Sequence, residues 1–189
     1  MITQLKNENK KGVKATMYKF TYELSKDDYI DFNMHHSKAS PSIRKTFISL
    51  RFIIPILFII FPLVFPLLIK SEVEIAPIAI FVIIAMLWIL IFPRFFWKDM
   101  EKRICKIVDE SDNGDLFKSR TVKISDMGIE EILYNGTNTR KWSAVTKIDE
   151  SVKSMFIYFS AVEAAIIPKK LFEDENALQK FRDFSKKHL

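Results

Sequence analysis

The chain has 189 residues, about the length of one domain, a formal net charge of +6 and 49% hydrophobic residues concentrated in its middle third. Its single cysteine, Cys105, excludes an internal disulfide framework and a multi-cysteine zinc site, and its four glycines form no phosphate-binding loop. The basic residues flank apolar runs rather than lining one element, which points to a membrane surface and away from nucleic acid.

Residues 1–15 are polar, carry lysines and lack periodicity, so a flexible extension is expected. Residues 16–46 read as a cytoplasmic strand plus helix. In "YKFTYEL", Tyr18, Phe20 and Tyr22 share one face, and Ser25 with Asp28 has capping-box spacing for a helix ending near Pro41. His35 and His36 are adjacent, so their rings point about 100° apart on a helix and cannot chelate one ion together.

"FIIPILFIIFPLVFPLLI" and "IAPIAIFVIIAMLWILIF" are each 18 residues without a charge. At about 1.5 Å per residue each spans roughly 27 Å, close to the hydrocarbon thickness of about 30 Å. Transmembrane helices are therefore expected over residues 47–69 and 75–93, joined by an extracytoplasmic loop at 70–74. Lys38, Arg44, Lys45 and Arg51 precede the first span, and Arg94, Lys98, Lys102, Arg103 and Lys106 follow the second. The loop "KSEVE" carries Lys70 alone, so both termini are expected in the cytoplasm.

Pro55, Pro62 and Pro66 fall within about 40° of one another around the first helix and form one candidate contact stripe. Such a stripe suits either a kinked anchor packed on its neighbour or a bendable, ligand-lining helix. Neither span holds a deep ionisable group, unlike most carriers and pumps.

Residues 94–112 keep helical spacing, with Phe96, Met100, Ile104 and Ile107 as the apolar stripe of a juxtamembrane stalk ended by the turn "DNGD". Residues 116–189 then turn to strands: "TVKISDMGIEEIL" in two pieces broken at "SDMG", a hairpin at Asn135-Gly136, "RKWSAVTKI", "SMFIYFS" and "AAIIP". Trp142 reads as a core aromatic inside the third of these. The closing segment, acidic at its start and basic at its end, carries Ala177, Leu178, Phe181 and Phe184 as one helical stripe. The fold class expected is membrane α+β, a two-helix transmembrane hairpin with a cytoplasmic PH-like β-meander capped by a C-terminal helix.

Arg140, Lys141, Lys169 and Lys170 are the candidate contacts to headgroups or a partner, because the stalk holds this domain near the inner leaflet. There is no nucleophile in a motif, no HExxH and no paired carboxylates in a pKa-shifting context. A non-enzymatic protein without cofactor or metal is expected. Its partners would be the bilayer and a protein or a second copy of itself.

The order of parts, with "DMGIEE", "KWSAVTKI" and "IIPKKLF" as its most specific motifs, resembles the YcxB-like family of bacterial inner-membrane proteins from about Tyr18 onward. The resemblance implies a two-helix inner-membrane protein with a cytoplasmic PH-like domain, and supplies no catalytic residues. The leading expectation is a membrane-anchored binding module. The alternatives are an immunity-type or envelope-stress protein, in which the proline stripe does the work, and an oligomeric pore or carrier.

Overall fold

The computed structural model describes residues 2–4, 7–8, 14–15, 17–110, 117–161 and 163–189. The chain divides into two compact units. One takes in Met1–His35 and Ile107–Leu189, and the other is His36–Lys106. The second unit is therefore inserted into the sequence of the first.

The inserted unit is a helical hairpin, α2 (Pro41–Leu68) and α3 (Ile75–Glu110), with α1 (Lys26–Ala39) ending just before it. Pro41 opens α2 at a position where its missing N–H costs nothing, since first-turn donors have no intrahelical acceptor. At the far end Lys70 adopts φ 57°, and the Ser71 N–H donates to the Pro66 carbonyl at 2.9 Å. That is the left-handed helix stop usually made by glycine.

Both helices are long and apolar enough to cross a membrane, and their apolar windows are only 11% and 6% buried. Core helices of a soluble protein are mostly covered, so these two mark a membrane protein. The aromatic contacts run antiparallel down the pair. Phe47 lies 5.2 Å from Phe96, Phe58 lies 6.2 Å from Trp88, and Phe61 lies 5.4 Å from Phe81. Ala85 is buried, a small residue where two helices meet in a setting that gains little from apolar burial. α3 continues unbroken past the apolar run to Glu110. Ile104 is buried in it, but Ile107 is exposed and Val108 is buried. The stripe thus steps by four from Phe96, not by three at its end. The "DNGD" turn lies outside the described residues.

The other unit is built of strands. Short strands β1 (Ile2–Gln4), β2 (Asn7–Glu8) and β3 (Lys14–Ala15) precede β4 (Met17–Glu23). After the hairpin come β5 (Ser119–Ser125), β6 (Gly128–Leu133), β7 (Gly136–Arg140), β8 (Lys147–Glu150), β9 (Ser154–Tyr158) and β10 (Ala164–Pro168). Helix α4 (Glu175–Lys187) closes the chain. The sheets run β1-β4-β5-β6-β7 and β10-β9-β8, all antiparallel, with a separate β2-β3 ribbon. The expected flexible extension falls largely outside the described residues, and within it Ile2–Gln4 pairs with Tyr18–Phe20.

The long-range pairing of β4 with β5 organises this unit. It covers seven residues, from Met17 opposite Ser125 to Glu23 opposite Ser119. Alternation puts Tyr18, Phe20 and Tyr22 on the same inner face as Val122 and Ile124. α4 covers that face, with the Phe181 ring 5.0 Å from Tyr18 and 5.5 Å from Phe20. Its first turn is capped by Asp174, which accepts the Ala177 N–H at 2.6 Å. From the other side α1 lays Phe32 against Phe156 at 5.3 Å. The expected capping box is formed, Ser25 and Asp28 each accepting the other's backbone N–H at 3.1 Å.

Three local expectations need correction. The strand anticipated over "RKWSAVTKI" is broken, because a 3₁₀ turn at Trp142–Ala144 carries the chain from one sheet to the other. Trp142 is buried at that corner, its indole N–H donating to the Ser125 carbonyl at 2.7 Å and its ring stacked on His188 at 4.9 Å. The single meander becomes two sheets, β4 to β7 with β1 in one and β8 to β10 in the other. The β6–β7 loop is Tyr134-Asn135, one residue earlier than expected, because Gly136 already pairs with Leu133. Gly128 is required at the preceding turn. At φ 142° a Cβ there would sit 2.2 Å from the Arg140 carbonyl oxygen.

Candidate functional site

Pro168 ends β10 and turns the chain into the 3₁₀ turn Lys169–Leu171, which aims the two lysines in different directions. The Lys169 ammonium donates to the Ser151 carbonyl at 2.6 Å and pairs with Glu150 at 2.9 Å. Glu150 also receives Arg182 of α4 at 3.1 Å, so one carboxylate joins β8, the β10 end and the capping helix. Burial works against ionisation of Glu150, but hydrogen bonds from Lys169 and Arg182 outweigh it and hold the carboxyl below its ordinary range.

Lys170 pairs at 2.8 Å with Asp28, the capping carboxylate of α1, whose side chain is 6% exposed. Burial opposes the Asp28 charge too, and is outweighed by hydrogen bonds from Lys170 and Ser25 that lower its pKa. This ion pair joins residues far apart in sequence and fastens α1 to the second sheet. Ser151, whose hydroxyl donates to Asp31, adds a second tie between the same parts.

Arg140, at the end of β7, forms an ion pair with Glu163 in the β9–β10 connection, and its guanidinium lies 4.6 Å from the centre of the Phe159 ring. Glu131 is on the same inner face one strand over. Burial raises its pKa, only partly offset by the nearby Arg120 and Arg140 charges. Tyr22 donates its hydroxyl to the Ile166 carbonyl, and burial raises its pKa strongly. These groups stitch the edge of the larger sheet to β10.

Three of the four candidate cations are thus engaged with carboxylates of their own unit. Lys141 differs. It is exposed and has no ion pair among the described residues. The structure brings Arg140 and Lys141 together beside the 3₁₀ corner, and gives Lys169 and Lys170 separate partners. Sequence reasoning missed Glu163, Glu131 and Asp28 as charge partners. Of these only Asp28 carried a signal, the capping-box spacing, and that signal named a different role.

The histidines also act as links. His35 pairs with Asp149 at 3.1 Å and His188 with Asp126 at 3.2 Å. Among the described residues no group of three His, Cys, Asp or Glu side chains is placed to hold a metal ion. In the hairpin, Pro55 and Pro62 are buried and Pro66 is half-buried, while most of α2 around them is exposed. The Trp88 indole N–H donates to the Leu50 carbonyl at 3.3 Å, tying α3 to α2.

Residues 124–185 match the YcxB-like protein family. The YcxB-like segment begins at the end of β5 and ends inside α4, about a third of the chain. It contains the three motifs "DMGIEE", "KWSAVTKI" and "IIPKKLF". β4, α1 and the hairpin lie outside the match, so the strand that completes the larger sheet comes from beyond it. Neither the comparison with curated proteins nor that with solved structures yields a match.

Proposed function

We propose that this protein is a non-enzymatic membrane-anchored module of a bacterial inner membrane. Its hairpin crosses the bilayer twice and holds a cytoplasmic PH-like domain at the inner leaflet, where the domain binds a lipid headgroup or a protein. The observation that carries this reading is the β4–β5 pairing. One strand precedes the hairpin and the other follows it, so both outer ends of the hairpin lie on one side of any membrane it crosses. The lysine and arginine bias supports a cytoplasmic side for those ends: Arg44, Lys45, Arg51, Arg94, Lys98 and Lys102 against Lys70 alone.

The PH-like assignment is supported by four strands β4–β7 in one sheet, three strands β8–β10 in the other, and α4 covering the core between them. The binding surface proposed is the corner around Lys141, the cation of the candidate set without a carboxylate among the described residues, beside the exposed polar strand β7. Arg140, Lys169 and Lys170 support that surface by holding the sheets and α1 in place.

Single cysteines at Ser71 or Ser119, in a Cys105→Ser background, test the topology. Labelling of intact cells with a membrane-impermeant maleimide should reach position 71 and spare 119. Labelling at 119 alone would invert the molecule and overturn the proposal.

A further inference from the structure

The larger sheet ends at β7. Its ladder partner is β6, in an unbroken antiparallel register from Ile129 opposite Arg140 to Leu133 opposite Gly136. Among the described residues no backbone–backbone hydrogen bond runs outward from Gly136–Arg140. The strand is exposed from Gly136 to Thr139, whereas β8 and β10, at the edges of the other sheet, are partly or largely covered. Unpaired edges are usually blunted by a lysine, a proline, a bulge or extreme shortness. The segment Gly-Thr-Asn-Thr-Arg has none of these, and its one charge, Arg140, is engaged with Glu163.

Which groups face outward follows from the loop. A two-residue turn is closed by a hydrogen-bonded pair, here Leu133 and Gly136, and antiparallel pairs alternate along the ladder. Gly136, Asn138 and Arg140 therefore aim their backbone groups at β6, and Thr137 and Thr139 aim theirs outward.

Those outward groups are spaced for the same strand of another copy. Thr137-Asn138-Thr139 reads the same in both directions. An antiparallel pair with its two-fold axis at Asn138 places Thr137 of one copy opposite Thr139 of the other, twice. Each such pair exchanges backbone hydrogen bonds and sets two threonine side chains side by side. The domain already contains a pair of this kind, since Thr21 and Thr121 lie opposite one another with their hydroxyls 2.9 Å apart. Arg140 falls opposite Gly136 in this register, so no like charges meet.

We propose that two copies of this protein pair antiparallel through β7 about Asn138, joining their two five-stranded sheets into one. Copies in the same membrane meet this way when the two-fold axis lies along the membrane normal. The interface is small, and confinement of both copies to one bilayer supplies the effective concentration it needs. The pairing is made by the backbone of β7 and is independent of what the Lys141 corner binds.

The full chain in isolated membrane vesicles, carrying Cys105→Ser and one new cysteine, tests this by copper-phenanthroline oxidation and non-reducing electrophoresis. Asn138 meets its own copy as a non-hydrogen-bonded pair with Cα atoms about 4.5 Å apart, within disulfide range. Asn138→Cys should therefore give a disulfide-linked dimer. Position 137 meets its own copy two residues out of register, at about 8 Å and beyond disulfide reach. Thr137→Cys should give at least about fivefold less dimer. Thr139→Pro added to Asn138→Cys removes an outward N–H where an edge tolerates proline. It should abolish the dimer and leave residues 117–189 protease-resistant. No dimer from Asn138→Cys, as much from Thr137→Cys, or a dimer that survives Thr139→Pro with the domain intact would overturn the proposal.

Discussion

Replacing Phe20 by alanine tests the composite domain directly. Phe20 is on the N-terminal side of the hairpin, yet it is 1% exposed inside a core made mostly of residues after it. Its ring lies 5.2 Å from Phe172 and 5.5 Å from Phe181. Phe→Ala in a close-packed core costs about 3–5 kcal/mol, a large share of the 5–15 kcal/mol that holds a typical domain. With a urea dependence of about 2 kcal/mol per molar, the unfolding midpoint should fall by about 1.5–2.5 M. The assay is pulse proteolysis of the full chain in nanodiscs across a urea series, reading cleavage within residues 117–189. Ile56→Ala is the control, since Ile56 is exposed on α2 and touches no part of this core. A midpoint shift no larger than that of the control would mean that β4 is not part of the fold, and the topological argument would lose its foundation.

Further outcomes follow from the same contacts. Asp28→Ala should cost about 1–2 kcal/mol at neutral pH through loss of the cap and the Lys170 pair. Because the folded pKa of Asp28 is depressed, its contribution is complete above the unfolded value and is lost as pH falls through the folded one. The gap between the unaltered protein and the variant in denaturant midpoint should therefore close on acidification. Gly128→Ala should destabilise the β5–β6 hairpin by about 1–3 kcal/mol, visible as faster amide exchange in β6, because its Cβ would meet the Arg140 backbone. Lys70→Gly should stabilise the α2 terminus by about 1 kcal/mol, relieving a left-handed φ of 57°, and raise the thermal midpoint of the hairpin in detergent.

What could be read in the sequence was set by how local the signal is. The two spans were legible because eighteen uncharged residues have few soluble uses, and the Ser25/Asp28 box because both partners sit within one turn. The β4 strand was legible as an alternating face in need of a cover, but its partner was not, since nothing in residues 18–24 names residues 119–125. The corner at Trp142 misled for a physical reason. Trp142 and Val145 both face the core from a 3₁₀ turn, a spacing that resembles an interrupted strand. The candidate cations were found by charge alone, and charge alone cannot reveal that Lys170 meets Asp28 or that Arg140 meets Glu163. Lys141, with the same local character, is the one left outward.

Inserting a membrane hairpin between the first two long strands of a domain constrains how many times the chain crosses the bilayer. β4 carries Tyr18, Phe20 and Tyr22, whose shared face is covered only when β5, β9 and α4 have been made and are on the same side. An even number of crossings permits that and an odd number forbids it, whichever way the hairpin points. Deleting residues 75–93 removes most of the apolar part of α3 and leaves one span, so β4 and β5 would emerge on opposite sides of the membrane. The domain should then lose its protease-resistant core although every residue of it is present. Reversing orientation with added lysines in the 70–74 loop should instead preserve that core, moved to the other face. A resistant core in the single-span variant would show that residues 117–189 fold without β4, and the parity requirement would fall with it.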